Sequence, residues 1–213
     1  MERSDVINGI IKKYNMNNPH YLEIGVWYGN TFGNVNSINK DGVDPEQYVK
    51  SDFVNYKMTS DEFFKNHITK KYDIIFVDGL HTAHQVTKDI INSINNLNLG
   101  GFLVLDDVFP HCEREQESLD LKKTGPQTGD VWKAVYNILD DLESISSDKF
   151  FIKETERGNL VLKIECIDNT ITIDNTIPSS NTDGFNPCEW NKFTYKNDFN
   201  TYLNRFNNYN SVL

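Results

Sequence analysis

The string Tyr72-Asp73-Ile74-Ile75-Phe76-Val77 constrains this chain more than any other segment. Four consecutive apolar residues make a strand that is apolar on both faces, which suits a central parallel strand covered on both sides. After Asp78-Gly79 the pattern changes. From Thr82 to Leu97 the apolar residues Val86, Ile90, Ile94 and Leu97 recur at helical spacing. Gly100-Gly101 ends that helix and leads into Phe102-Leu103-Val104-Leu105, a second buried strand.

The same alternation extends in both directions. Ser4 is placed to cap a helix running to about Tyr14, with Val6, Ile7, Ile10 and Ile11 on one face. Tyr21–Ile24 reads as a short strand that stops at Gly25, with a helix from about Thr31. Asp41–Pro45 reads as the end of another strand, because Pro45 blocks continued pairing. Ser60-Asp61-Glu62 opens a helix with acids in its first turn. Beyond a long polar loop over 108–128, Asp130–Leu142 is helical. Phe150–Lys153 and Leu160–Ile164 form a hairpin turned at Arg157-Gly158, Asp168–Asn186 is a polar arm, and Asn197–Phe206 is the last helix. Strands alternating with helices predict an α/β fold with a doubly wound, mostly parallel sheet and a C-terminal antiparallel hairpin strand. The expected division is a core over residues 1–165 and a C-terminal extension over 166–213 that packs on it.

Composition removes several classes of function. The net charge of −10 opposes a phosphate backbone, so no nucleic-acid partner is expected, and the pairs Lys12-Lys13, Lys70-Lys71 and Lys122-Lys123 read as solvated faces. The longest apolar runs fall far short of the roughly 18 residues that span a bilayer. Met1-Glu2-Arg3-Ser4-Asp5 has no export-type stretch, so a cytoplasmic protein, or a piece of a larger one, is expected. Cys112, Cys166 and Cys188 show no zinc spacing and read as free thiols.

Chemistry concentrates where strands end, which is where doubly wound sheets bind ligands. Glu23-Ile24-Gly25-Val26-Trp27-Tyr28-Gly29-Asn30-Thr31 is a strand-to-helix turn whose glycines permit close backbone approach. It lacks the Gly-x-Gly-x-x-Gly of dinucleotide binders, and Glu23 suits a ligand with an ammonium or sulfonium charge. Asp44, about 20 residues beyond, can accept from two ribose hydroxyls. Ser60 and Asp61 can bond an adenine edge. Asp78 ends one buried strand and Asp106-Asp107 another, and three such acids offer hard oxygen ligands suited to Mg²⁺ or Mn²⁺. His81 lies at the mouth of the same cleft.

These segments resemble the class I methyltransferases, in the branch near macrocin O-methyltransferase-type and polysaccharide-cluster sugar enzymes. The matching stretches run in order over roughly residues 20–140, and Phe76-Val77-Asp78-Gly79-Leu80-His81-Thr82 and Gly129-Asp130-Val131-Trp132-Lys133-Ala134 are the most specific. The resemblance implies a Rossmann-like core binding S-adenosylmethionine. The glycine loop, Gly25 and Gly29, with Glu23 would hold its methionine part and Asp44 its ribose, and Thr31, Ser60, Asp61 and Asp78 are further expected cofactor contacts. It implies a divalent metal on Asp78, Asp106 and Asp107. Relatives often carry a second acid, acting as base, where this chain has Leu80, so the base role moves to His81, with His84 and His111 as further candidates.

The expected activity is O-methylation of a sugar hydroxyl on a glycan or glycoside. The cation lowers the hydroxyl's pKa and the histidine takes its proton. The alternatives are N-methylation of an amino sugar or small molecule, which needs no metal, and a nicotinamide-dependent sugar oxidoreductase or epimerase. That last class would want a Gly-x-Gly-x-x-Gly loop and a Tyr-x-x-x-Lys pair. A homo-oligomer, or membership of a larger glycan-building protein, is compatible with all of these.

Overall fold

The computed structural model describes residues 1–45, 53–116, 127–165 and 195–213. Lys122-Lys123, Cys166, Cys188 and the expected arm over Asp168–Asn186 lie outside the described residues.

The elements follow in the order α1 (Arg3–Lys13), β1 (Tyr21–Ile24), α2 (Asn30–Asn34), β2 (Lys40–Val43), α3 (Ser60–Asn66), β3 (Tyr72–Val77), α4 (Ala83–Asn96), β4 (Leu97–Leu105), α5 (Val131–Ser144), β5 (Ser146–Ile152), β6 (Asn159–Ile164) and α6 (Tyr195–Arg205). The strands form one six-stranded sheet in the order β2-β1-β3-β4-β6-β5. The pairs β1–β2, β1–β3 and β3–β4 are parallel, and β6 runs antiparallel to both β4 and β5. This is the doubly wound, mostly parallel architecture with a C-terminal hairpin that the sequence predicts.

The alternation of side chains divides the core into two layers. Ile75 and Val77 of β3, with Leu103 and Leu105 of β4, join the face covered by α3, α4, α5 and α6. Ile74 and Phe76, with Phe102 and Val104, join the face covered by α1 and α2. A period-two backbone whose residues are apolar on both parities therefore has to be covered twice. On the first face α6 adds Phe199 and Tyr202, both buried, and the Tyr202 hydroxyl donates to the Val108 carbonyl at 3.1 Å.

Several local expectations shift, the first strand of the hairpin among them, which begins at Ser146. The first helix begins at Arg3, and its cap is Glu2, not Ser4: Glu2 and Asp5 form a reciprocal capping box, while Ser4 is buried inside the first turn. Gly100-Gly101 does not separate helix from strand. Leu97 already pairs with Tyr72, and the glycines lie inside β4 next to a register shift in its pairing with β3. The last helix starts two residues early, at Tyr195. At the outer margin of the sheet, Phe150 of β5 forms a parallel bridge with Asn210, which follows α6.

Candidate active site

The chain passes from β1 to β2 on one side, then crosses to β3 on the other. The reversal leaves a crevice at the carboxyl ends of β1 and β3. There the backbones nearly touch. A Cβ on Gly25, which sits at φ +85°, would lie 1.9 Å from the Asp78 carbonyl oxygen, so only glycine fits.

A cleft of about 350 Å³ opens at this point. Its lining includes Gly25, Trp27, Asp44, Ser60, Asp61, Asp78, Gly79, Leu80 and Gln85. Asp44 Oδ2 accepts from the Val26 and Trp27 amides at 2.9 and 2.8 Å, which ties the end of β2 to the turn after β1. Thr59 caps α3 through the Glu62 amide and so fixes Ser60 and Asp61 at the cleft wall. The Gln85 amide nitrogen of α4 reaches Ser60 Oγ, Asp61 Oδ1 and Asp89 Oδ1 at 3.0–3.1 Å. Burial raises the Asp89 carboxyl to about 6.

Glu23 does not line the cleft. The period of the strand puts it on the same side as Tyr21, whose hydroxyl donates to it, and both are buried. Burial, foremost, lifts the Glu23 carboxyl to about 8. Gly29 caps α2 at φ +74°, and its open α-carbon accommodates the Phe53 ring. Thr31 lies within α2, one residue before the buried Phe32.

The three strand-end acids are brought to one place, and their carboxylates face different partners. Asp78, His81 and Asp107 each offer a ligand atom within 4.8 Å of the others. Asp107 occupies a left-handed backbone conformation, φ +57°, unusual for a residue with a side chain. His81 Nε2 lies 3.1 Å from Asp107 Oδ2 and 3.4 Å from Asp78 Oδ1, and Nδ1 lies 2.9 Å from the Gln127 carbonyl. A carbonyl only accepts, so Nδ1 carries a hydrogen and Nε2 is the atom aimed at the acids. Burial alone would lower the imidazole, but Asp107 and Asp78 outweigh it and raise it to about 10. Burial, opposed by His81, leaves Asp107 at about 6.

Asp106 departs from the expected metal set. Its Oδ2 pairs with the Arg3 guanidinium, and its Oδ1 accepts from Asn159 Nδ2 at 2.8 Å. Its carboxyl is raised well above the usual range, first by burial and then by Asp78 and Asp107.

The start of α5 is the seat of His81. A Cβ on Gly129, at φ +55°, would lie 2.0 Å from the His81 carbonyl oxygen, and the Asp130 amide donates to that oxygen at 3.0 Å. The other two candidate histidines stand elsewhere: His84 is on α4, where burial and Lys88 lower its pKa, and the His111 ring packs edge-on to Phe109. Sequence reasoning missed Arg3, Gln85, Asn159 and Trp27. Of these only Trp27 carries a local signal, as a bulky residue between Gly25 and Gly29 that the turn forces to φ +48°.

Residues 22–108 match the sequence model of a family described as a methyltransferase domain. No curated protein matches the chain in sequence. Solved structures of similar fold include the O-methyltransferase from Bacillus cereus in complex with SAH, with a TM-score of 0.52 and 12% identity over 76% of this chain and 80% of that one. SAH-bound methyltransferase PaMTH1 from Podospora anserina gives 0.52 and 12%, covering 77% and 78%. SAM-bound CalS10, an amino pentose methyltransferase from Micromonospora echinaspora involved in calicheamicin biosynthesis, gives 0.52 and 10%, covering 76% and 89%. No helix among the described residues is long and apolar enough to cross a membrane.

Proposed function

We propose that this chain, a class I S-adenosylmethionine-dependent methyltransferase, methylates a sugar hydroxyl on a glycan or glycoside with the help of Mg²⁺ or Mn²⁺. The observation that carries this reading is the double membership of Asp78. It lines the cleft that Gly25, Asp44, Ser60 and Asp61 define, and it also belongs to the cluster with His81 and Asp107. A methyl donor in the cleft and an activated oxygen at the cluster would therefore meet at one residue.

The methyl of a sulfonium is already activated, so the protein must align an acceptor oxygen and dispose of its proton. Asp44 would hold the ribose hydroxyls, while Ser60 and Asp61, steadied by Gln85, would meet the adenine edge. Asp78 and Asp107 fit a hard cation, being carboxylates close together, and an ion bound there would supply Lewis-acid polarisation of the hydroxyl. His81 is assigned the base. Its ring is held by the Gln127 carbonyl, and Nε2, which the two facing carboxylates keep protonated, is freed to accept a substrate proton only once their negative charge is offset. A cytoplasmic setting and a glycan-type partner accompany this reading.

The test is methyl transfer from S-adenosylmethionine to a panel of mono- and oligosaccharides, read by mass gain with and without chelator. Methylation that stops in chelator and returns with Mn²⁺ supports the reading. Absence of cofactor binding, alongside binding of NAD, would overturn it in favour of a nicotinamide-dependent enzyme. One observation favours a second reading, N-methylation of an amino sugar. Arg3 and a protonated His81 already balance most of the acidic charge, and an amine acceptor needs no metal. Full activity on an amino sugar in excess chelator would select it.

A further inference from the structure

Arg3, the first residue of α1, reaches across the sheet end into the acid cluster. Its guanidinium pairs with Asp106, lies 3.7 Å from Asp78 Oδ2 and 3.9 Å from Glu156 Oε2, and keeps a side chain only 30% exposed. Asn159 fills the other oxygen of Asp106. Both oxygens of Asp106 are thus taken by donors of the protein, while the left-handed turn at Asp107 sends the next carboxylate to His81 instead. The strand-end acids are divided: Asp106 serves Arg3, Asp107 serves His81, and Asp78 lies between the two cations.

We propose that Arg3 is a tethered cation that withholds Asp106 from the metal site and thereby sets the site's affinity for divalent ions. The inference rests on the cation reading above. A guanidinium does not lose its proton in a protein, so the cation beside Asp106 keeps its charge at every pH the protein meets. Fixed positive charge 3.7 Å from Asp78 also opposes the arrival of a dication at that same carboxylate. Two carboxylates, not three, remain to receive the ion.

The experiment is calorimetric titration of the full chain with MnCl₂ alone, cross-checked by the electron paramagnetic resonance signal of free Mn²⁺. The proteins compared are wild type, Arg3→Met, Arg3→Lys, Asp106→Asn and the Arg3→Met/Asp106→Asn pair. Arg3→Met should bind Mn²⁺ at least about tenfold more tightly, because a repulsive charge is gone and a third carboxylate is freed. Arg3→Lys should stay near wild type, Asp106→Asn should change affinity by no more than about twofold, and the double variant should lose the gain. S-adenosylmethionine binding in the same calorimeter reports that each variant is folded. Unchanged or weaker Mn²⁺ binding in a folded Arg3→Met overturns the proposal, as does loss of binding in Asp106→Asn. Tight binding by Arg3→Met where wild type binds none supports it in its strongest form, although metal assistance would then be lost from the proposed function. No binding by either protein overturns both. If sugar methylation fails while the affinity pattern holds, the acceptor reading alone is wrong.

Discussion

His81 and Asp107 form a close charged contact at the candidate active site, with Nε2 and Oδ2 3.1 Å apart and both side chains largely shielded from water. His81 comes from the turn after one buried strand and Asp107 from the turn after its neighbour. The contact therefore joins the carboxyl ends of β3 and β4.

Protonation of this region should make the protein more stable in mild acid than in base. His81 is raised from 6.5 to about 10, with burial opposing and Asp107 then Asp78 driving the rise. Glu23 is raised to about 8, and Asp89 and Asp107 to about 6, in each case chiefly by burial. Every one of these groups binds its proton more tightly folded than unfolded. Their contribution is full below the unfolded values and is lost as pH rises through the folded ones, first near 6, then 8, then 10. Scanning calorimetry without added metal should show Tm falling steadily from about pH 5 to about pH 9. In His81→Gln the decline should become shallower above about pH 6.5 and level off above about pH 8, where Glu23 has finished titrating. A Tm that climbs over that range would contradict the assignment.

Removing His81 should separate catalysis from cofactor binding. His81→Ala leaves the cleft lining intact, so S-adenosylmethionine affinity should stay near wild type. Turnover should drop by about 10²–10⁴, the usual range for a lost general base. His84→Ala should be mild. Normal turnover in the His81 variant would assign the proton to water or to a carboxylate.

Asp44→Ala should weaken cofactor binding by roughly 1.5–3 kcal/mol, the range for hydrogen bonds to a charged group. Part of the loss comes from the turn itself, because the Val26 and Trp27 amides lose their shared acceptor. Asp44→Asn keeps one acceptor oxygen and should fall between the two. Calorimetry with the demethylated product checks this without any turnover.

Two glycine-to-alanine substitutions should have opposite signs. At Gly129 the new Cβ meets the His81 carbonyl at 2.0 Å with φ at +55°, so unfolding free energy should drop by at least about 2 kcal/mol. At Gly33, inside α2, the nearest neighbour is a Phe53 ring carbon at 3.5 Å, an ordinary contact. Gly33→Ala should be neutral or stabilising, by up to about 1 kcal/mol. Denaturant melts of the pair decide the matter.

The positions of Gly25, Asp44, Asp78 and the Asp106-Asp107 pair were legible because a buried strand has to end in something polar, and each end is marked in the sequence. What each carboxylate faces was not legible. Period-two alternation sets Glu23 on the same side as Tyr21, whose hydroxyl donates to it, and four strand residues are too few to reveal which face is which. Asp106 and Asp107 part company through one left-handed backbone angle. Arg3 meets Asp106 across 103 positions of sequence, and Asn159 meets it across 53, so no local pattern announces either. The first helix betrays its apolar stripe but not the reach of the one cation at its tip.

The bridge between Phe150 and Asn210 has a consequence for the protein's behaviour in concentrated solution. β5 is the outermost strand on its side of the sheet, and its free backbone groups would otherwise offer a template for a neighbouring chain. The segment after α6 occupies part of that template, with the Phe151 amide donating to the Asn210 carbonyl at 2.9 Å and the Asn210 amide to the Lys149 carbonyl at 3.0 Å. The Phe206 ring stacks on Phe151 at 4.2 Å and fixes the segment's approach. These few residues act as a sacrificial neighbour: while they stay seated they fill that part of the margin against strand addition, and clipping them would leave its backbone groups open to a neighbouring chain.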